Sequence, residues 1–336
     1  MTAAAGMPRP CPRASGAGQP VLSVCLASWN TRELLLACVA SLLADPDSEA
    51  WEIIVVDNAS TDGSAAAVAR QFPQVRLQRN AHNAGFAAAN NQAMQMARGR
   101  YFLLLNTDTQ VQRGALAGLV ELMERRPDVG AVGPRLIDGH GRLQLSCGPQ
   151  PSLRRVALTK LLLHGLFPVH RFGRRGHAMS RDVGWISGAC MMVRRQTVET
   201  AGPLDAALFM FHEDVEWCMR IHQAGWRVVY HPGSIVVHLG GQSVRQDLGR
   251  MLVISQHSQF YLFQKHFGLQ AVEVLRWLTA AEMLLRAAVW LPLTLLSPRH
   301  RAEGRQRLQA YRRILARLLG DRSFWAPLCS RSLPSR

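Results

Sequence analysis

Lysine is nearly missing from these 336 residues: Lys160 and Lys265 are the only two, so the formal charge of +16 rests on arginine. A G+C-rich coding sequence gives the same bias, and the choice of cation therefore says little about function. The sign says more, because surplus positive charge favours nucleotide diphosphates, acidic lipid headgroups or nucleic acid as partners. No C-x-x-C pair occurs among Cys11, Cys25, Cys38, Cys147, Cys190, Cys218 and Cys329, and their spacing is irregular. That argues against a secreted disulfide framework and reads as reduced thiols in a cytosolic protein. Residues 1–19, rich in Ala, Gly and Pro around Arg9 and Arg13, lack the apolar run of a signal peptide and read as a disordered leader. Two phosphate-binding devices are also missing. No G-x-G-x-x-G follows the first apolar run, and no G-x-x-x-x-G-K-[ST] occurs anywhere.

What is present is a rhythm. Val21 to Ala27 and Trp51 to Val56 are short apolar runs that read as buried parallel strands, and Leu34, Leu35, Cys38, Val39, Leu42 and Leu43 recur between them at helical spacing. The alternation continues through a helix near Ser64 to Gln71, a strand at Val75 to Gln78, a helix from Ala87 to Arg98 and a strand at Tyr101 to Leu105. It predicts a doubly wound sheet with ligand chemistry at the carboxyl ends of its strands. Past residue 110 the pattern predicts a helix to about Arg126, a strand at Val129 to Pro134 and a long loop reaching Arg181. Within that loop, the apolar segment Thr159 to Phe167 lies among arginines and suits a membrane surface or a lipid-linked acceptor; a buried helix with solvated flanks fits it equally. Ala189 to Val193 returns to the sheet, Asp214 to Ala224 is a helix, and Trp226 to Tyr230 and Ser234 to His238 read as two short strands.

Asp57 and Asp108 each sit at or just beyond a predicted strand end. After Asp57 comes a polar turn, Asn58-Ala59-Ser60-Thr61-Asp62-Gly63, in which Ser60 and Thr61 are candidate helix caps. A carboxylate held there can accept from a pyrimidine N–H or a ribose hydroxyl. Asn80 to Ala87 forms a second polar turn, and Leu105-Asn106-Thr107-Asp108 follows. Further on, Gly184 to Arg195 places small residues before a strand, where backbone can approach a sugar, and Glu213-Asp214 opens a helix. An acid in that position is stabilised as the anion by free N–H groups and the helix dipole.

The succession Ala-Ser-Trp-Asn, Val-Asp-Asn-Ala-Ser-Thr-Asp-Gly-Ser, Asn-Ala-Gly-Phe-Ala, Leu-Asn-Thr-Asp and Glu-Asp resembles glycosyltransferase family 2, and within it the bacterial rhamnosyltransferase-like branch. The resemblance implies an α/β fold of the GT-A type: a Rossmann-like mixed sheet with flanking helices, here followed by a C-terminal helical extension. The expected organisation is a GT-A domain over 20–245, a basic helical region over 246–320 that packs on the domain or associates with a membrane, and a tail over 321–336. Ser28, Trp29, Asn30, Asp57, Asn83, Gly85 and Asp108 are the donor-binding positions it implies, and Trp185, Ser187, Gly188 and Ala189 lie near acceptor or sugar. Asp214 is the expected general base, and Glu213 orients the acceptor or the base. Asp108 and His238 are the expected ligands of a divalent cation, Mg²⁺ or Mn²⁺, which would neutralise the departing nucleoside diphosphate. Asn106 stands where the family's fuller motif has a first acid, so one carboxylate carries that element.

The expected reaction is inverting transfer of a sugar, rhamnose among the candidates, from a dTDP- or UDP-linked donor to a saccharide or lipid-linked saccharide, in cell-surface polysaccharide or glycolipid synthesis. A nucleotidyltransferase is the rival enzyme, although Ser28 to Arg32 lacks its usual glycine-rich loop. A catalytically silent carbohydrate-binding relative is a second alternative. A nucleic-acid-binding protein fits the charge, but no helix-turn-helix, RRM or zinc pattern appears, so nucleic acid is not expected as a partner. From about Gln246 the chain reads as helical to about Leu319. Ala271 to Leu296 is apolar but interrupted by Glu273, Arg276, Glu282 and Arg286, so it packs on the domain or lies on the membrane. The arginine-rich helix beyond it suits an anionic leaflet, and the expected place of action is the cytoplasm, peripheral to the inner face of the membrane.

Overall fold

Leu22–Ser28 (β1) is buried almost throughout because it runs between two parallel neighbours, Trp51–Asp57 (β2) and Tyr101–Leu105 (β4). In the computed structural model, which describes residues 19–161, 172–240 and 247–320, β1 lies inside a ten-stranded mixed sheet. Arg76–Arg79 (β3) adds an edge beside β2, and helices Arg32–Leu43 (α1), Ser64–Gln71 (α2) and Phe86–Met96 (α3) make the crossovers. Strands covered on both faces need apolar residues on both, hence continuous runs rather than alternation with polar residues. Successive side chains of such a strand are sorted between two cores. Val24 and Leu26 meet Leu35, Leu42 and Leu119 on one face, while Cys25 and Val56 meet Ala89, Ala93 and Trp217 on the other.

The second half changes the strand direction. Thr109–Val111 (β5), helix Ala115–Arg125 (α4) and Val129–Ile137 (β6) are followed by the short strands Leu143–Gln144 (β7) and Cys147–Gly148 (β8), helix Leu153–Lys160 (α5), and strands Arg181–Asp182 (β9) and Trp185–Ile186 (β10). Cys190–Arg194 (β11) then inserts antiparallel between β4 and β6, with Cys190 opposite Leu105. Helices Arg195–Ala201 (α6) and Glu213–Gln223 (α7) precede Arg227–His238 (β12), which runs parallel to β6 and antiparallel to β5. The strand order is β3-β2-β1-β4-β11-β6-β12-β5. Two registers position the site. Because β11 starts where β4 ends, residues 185–189 arrive at the carboxyl ends of β1 and β4; because His238 pairs with Thr109, it arrives beside Asp108.

Several expectations are corrected. The long loop before Arg181 contains β7, β8 and α5, whose segments are too short to show a period. Thr159 lies in the last turn of α5, and residues 162–171, which include the rest of the apolar segment, lie outside the described residues, as do 1–18 of the leader and the tail 321–336. The two strands ending at Tyr230 and His238 are one strand, β12, with a register shift between His231 and Ile235 that absorbs the Pro232-Gly233 pair. Ser60 and Thr61 do not cap α2: Asp62 accepts from Ser64 N at 3.0 Å, while Ser60 Oγ accepts from Asn30 N.

Beyond residue 246 the helical expectation agrees with the structure. Leu248–Leu296 (α8) breaks at Gly268, where φ is 79°, and Arg301–Gly320 (α9) returns alongside it. Phe260, Phe263, Leu275, Met283 and Tyr311 form a third core with Val156 of α5 and Met219 of α7. The first turns of α8 pack Met251 and Ile254 on Phe209. The C-terminal helices thereby supply one wall of the site.

Candidate active site

A cavity of about 820 Å³ opens at the carboxyl ends of β1 and β4. Ser28, Trp29, Asn83, Gly85 and Asp108 line one side of it; Trp185, Ser187, Gly188 and Ala189 line another; Glu213, Asp214 and His238 complete the set expected from sequence. Asn30 and Asp57 are not among its lining residues. Asn30, with φ at 51°, uses its side-chain oxygen to accept from Thr61 N at 2.8 Å and so braces the turn after β2. Asp57 is buried beneath that turn; its Oδ2 accepts from Ser60 N at 3.2 Å, and its Oδ1 is buried without a partner. An unpaired buried carboxylate oxygen is costly, so a ligand donor at that atom would lower the energy of the site.

The turn before α3 is fixed by crowding. Gly85 has φ at 90°, and a Cβ there would lie 2.6 Å from the carbonyl oxygen of Phe209, which also accepts from Phe86 N at 2.8 Å. Only glycine satisfies both conditions. Asn83 Oδ1 accepts from Gly85 N at 2.9 Å, and Asn58 ties the two turns together by accepting from Asn80 Nδ2 at 2.8 Å and donating to Gly85 O. Gly184 has a different use from the one expected: a Cβ would meet Gln150 N at 1.9 Å, so protein backbone occupies the space reserved for a sugar.

At Asp108, His238 Nε2 stands 3.2 Å from Oδ1, with Asn106 Nδ2 at 3.5 Å from that ring nitrogen. Gln144 fixes the ring. Its Nε2 donates to His238 O at 2.7 Å, which turns its Oε1 toward His238 Nδ1 at 2.8 Å. With Nδ1–H donating to Gln144, Nε2 is the ring nitrogen left to share a proton or a cation with the Asp108 carboxylate. Two acceptors face each other at that distance when a proton or a cation lies between them. Oxygen plus imidazole donors, oriented by an outer amide, suit a divalent ion of the Mn²⁺ kind. Among the described residues no group of three or more His, Cys, Asp or Glu is placed to hold a metal, so a cation here would take Asp108 and His238 and need further ligands from water or substrate.

Glu213 and Asp214 open α7 under strain. Phe211 and His212 precede them with φ at 68° and 63°, two consecutive non-glycine residues in the left-handed region. This corner turns the first residues of α7 into the cavity. Asp214 Oδ2 accepts from Gly188 N at 2.9 Å and Oδ1 from Val215 N at 2.7 Å, a carboxylate held by backbone N–H donors at a helix N-terminus. Glu213 is its contrast. Burial, and next the charge of Asp214, push its carboxyl up to about 8, and its Oε2 is buried without a partner. Burial therefore favours the neutral form of Glu213, while Asp214 is the acid that backbone N–H donors hold.

Sequence reasoning missed Gln144, Phe211, His212 and the α8 residues Arg250, Met251, Ser255 and Gln259, all of which line the cavity. Gln144 falls in the stretch without period, and the α8 residues belong to a helix whose sequence speaks only of its own apolar faces. The left-handed corner had no signal, since neither residue is Gly or Asn. Cys25, Cys38, Cys147, Cys190 and Cys218 are buried thiols whose pKa burial raises; Cys11 and Cys329 lie outside the described residues.

Known proteins resemble this chain in sequence and in fold. The N-acetylglucosaminyl-diphospho-decaprenol L-rhamnosyltransferase of Mycobacterium tuberculosis is 30% identical over 308 residues, spanning 85% of this chain and 98% of that protein. The mannosyltransferase PcManGT of Pyrobaculum calidifontis, solved with GDP-Man and Mn²⁺, superposes with a TM-score of 0.50 at 19% identity, covering 94% of this chain and 91% of that one. GalNAc-T7, solved with UDP, GalNAc and Mn²⁺, gives 0.51 at 17% identity over 74% of this chain and 50% of that one. These two likenesses are of fold, and they are GT-A likenesses. The model of the family described as Glycosyl transferase family 2 matches residues 23–200, from β1 through α6 and short of Glu213. With the mixed sheet, the cavity at its switch in strand direction and this match over more than half of its length, the chain belongs to glycosyltransferase family 2.

Proposed function

We propose that the protein transfers a sugar, rhamnose in the first instance, from a dTDP- or UDP-linked donor to a hydroxyl of a lipid-linked saccharide, with inversion, in the synthesis of a cell-surface polysaccharide. The rhamnosyltransferase relative, aligned over nearly its whole length, supports the sugar and the class of acceptor. The observation that carries the reading is the cavity itself, which has a carboxylate at the N-terminus of α7 on one wall and the Asp108–His238 pair on another.

In this reading Asp57 Oδ1 accepts from the base or ribose, and Asn83 and Gly85 shape the nucleotide's turn. Arg250, the one Arg or Lys among the described lining residues, faces the negative charge of the diphosphate. Asp108 and His238 would hold a divalent cation, which when bound supplies positive charge to the leaving diphosphate. Asp214 takes the proton of the acceptor hydroxyl as that oxygen forms its bond to the anomeric carbon from the face opposite the departing diphosphate. Neutral Glu213 donates to the acceptor and leaves Asp214 as the only anion at that wall. Trp185, Ser187, Gly188 and Ala189 form the floor between donor sugar and acceptor. One base and one displacement invert the anomeric centre.

The test is transfer from dTDP-rhamnose to a polyprenyl-diphosphate N-acetylglucosamine in the presence of Mg²⁺ or Mn²⁺. Asp214→Asn is expected to keep nucleotide binding, read by thermal shift, and to lower turnover roughly 10²–10⁴-fold. Loss of nucleotide binding together with turnover would show that Asp214 serves the donor and not the acceptor.

A further inference from the structure

The second half of α8 has two unlike sides. Ala271, Leu275, Thr279, Glu282 and Met283 are buried against α5 and α9, whereas Trp277, Leu284, Leu291 and Leu295 lie in one row on the other side, with Leu285 and Val289 beside it. Trp277 is 61%, Leu284 60% and Leu295 65% exposed. Over residues 277–296, about 30 Å of helix, the only charges are Glu282 and Arg286. Both belong to the packed side, where Glu282 pairs with Lys160 at 2.8 Å and with Arg286 at 2.9 Å. Helix α9 runs antiparallel beside this stretch: Gly304 abuts Thr294, and Arg276 Nε donates to Leu318 O at 2.8 Å. It exposes Arg301, Arg305 and Arg312 at helical spacing, against a single acid, Glu303.

By length and composition alone this helix is long and apolar enough to cross a membrane. A crossing would draw the Lys160–Glu282 pair and the arginines of α9 into hydrocarbon, a costly arrangement. A one-sided apolar row beside an arginine-bearing helix is instead the pattern of a helix lying in the interface plane. We infer that α8 and α9 form a docking surface for an anionic bilayer, the row from Trp277 to Leu295 seated at the acyl boundary and the arginines of α9 on lipid headgroups. The first half of the same helix lines the cavity through Arg250, Ser255 and Gln259, so docking sets the active site at a fixed distance from the surface where a lipid-linked acceptor is held. The inference deepens the proposed function and rests on it only for that last step.

The experiment is cosedimentation of the full chain with vesicles of phosphatidylcholine alone or of equal parts phosphatidylcholine and phosphatidylglycerol. Binding to the mixed vesicles is expected, weakening as salt is raised. Trp277→Glu with Leu291→Glu is expected to abolish it, and Arg301→Glu, Arg305→Glu and Arg312→Glu together to weaken it tenfold or more, since arginines near the surface attract anionic headgroups. Each variant should keep the wild-type thermal shift with a nucleoside diphosphate, which shows that the fold and donor site are intact. No binding by the wild type, or binding indifferent to both variant sets, overturns the inference. So does a wild-type dimer that Trp277→Glu with Leu291→Glu dissociates, because the row is then an interface between copies. Failure of the nucleotide shift in the wild type refutes the transferase reading and leaves the vesicle result standing.

Discussion

Glu213 and Asp214 are adjacent acids in unlike surroundings, and the difference is a matter of partners. Asp214 accepts from two backbone N–H groups, while Glu213 Oε2 is buried with none. Glu213 is held near pKa 8 by burial and then by Asp214, well above its ordinary 4.5. Its folded form binds the extra proton between those values, so its ionisation costs stability progressively as pH rises from about 4.5 to about 8. Activity that needs the neutral acid is expected to fall as pH passes about 8. Glu213→Gln, neutral at every pH, should lose that alkaline limb in a kcat/KM profile and gain stability over the wild type above pH 8. A second residue-scale prediction concerns Gln144, which orients His238 through Nδ1. Gln144→Leu is expected to weaken Mn²⁺ binding about 10–100-fold, measured by paramagnetic titration, while nucleoside binding without metal is unchanged. Of these residues the sequence showed the acids and His238, because their types and order are local facts. It could not show Gln144, whose role exists only because β7 and β12 both pair with β6.

At the scale of the element, α7 is more than a bearer of acids. Glu216, one turn into it, is fully buried and receives Arg220, Lys265 and His266 at 2.9, 2.8 and 3.1 Å. Burial alone would raise this carboxyl, but hydrogen bonds from His266 and Arg220 and the charge of Arg220 outweigh it and hold it at about 2. The sign follows: the folded value lies below the unfolded one, so this stability is complete above about pH 4.5 and is lost as pH falls toward 2. The loss should be on the order of 3 kcal/mol, seen as a falling denaturation midpoint across that window, and Glu216→Gln should flatten the slope. Because Lys265 and His266 sit just before the break at Gly268, the same cluster fastens the C-terminal helix to the catalytic one. Most of the helices were legible from period and composition, α2 close to its observed Ser64–Gln71, but α5 and α6 were not. Short elements such as β5, β7 and β9 were not, since two or three residues carry no period and take their form from the strand beside them.

Across the whole molecule, α5 and α8 are joined by Lys160 and Glu282, both buried, with Gln256 Oε1 accepting from Lys160 Nζ at 3.0 Å. Burial pulls the lysine's pKa down, and Glu282 opposes it. Lys160→Met alone leaves a buried carboxylate with only Arg286 and is expected to destabilise the protein by about 3–5 kcal/mol. The double variant Lys160→Met, Glu282→Leu should recover most of that in chemical denaturation, since removing both charges leaves nothing buried and unpaired.

The sequence by itself determined the alternation of strand and helix, the positions of Asp57, Asp108, Glu213 and Asp214 at element ends, and the family to which they point. These are properties of neighbours along the chain, set by period and residue type. Tertiary structure alone decided which of them meet. Antiparallel insertion of β11 carries residues 185–189 to the end of β4, and pairing of β12 with β5 sets His238 on Asp108. The left-handed corner at Phe211 and His212 aims α7 into the cavity, and a helix read only as an appendage becomes its wall. Contacts between residues a hundred positions apart depend on strand order and register, which many sequences of the same local pattern would satisfy differently.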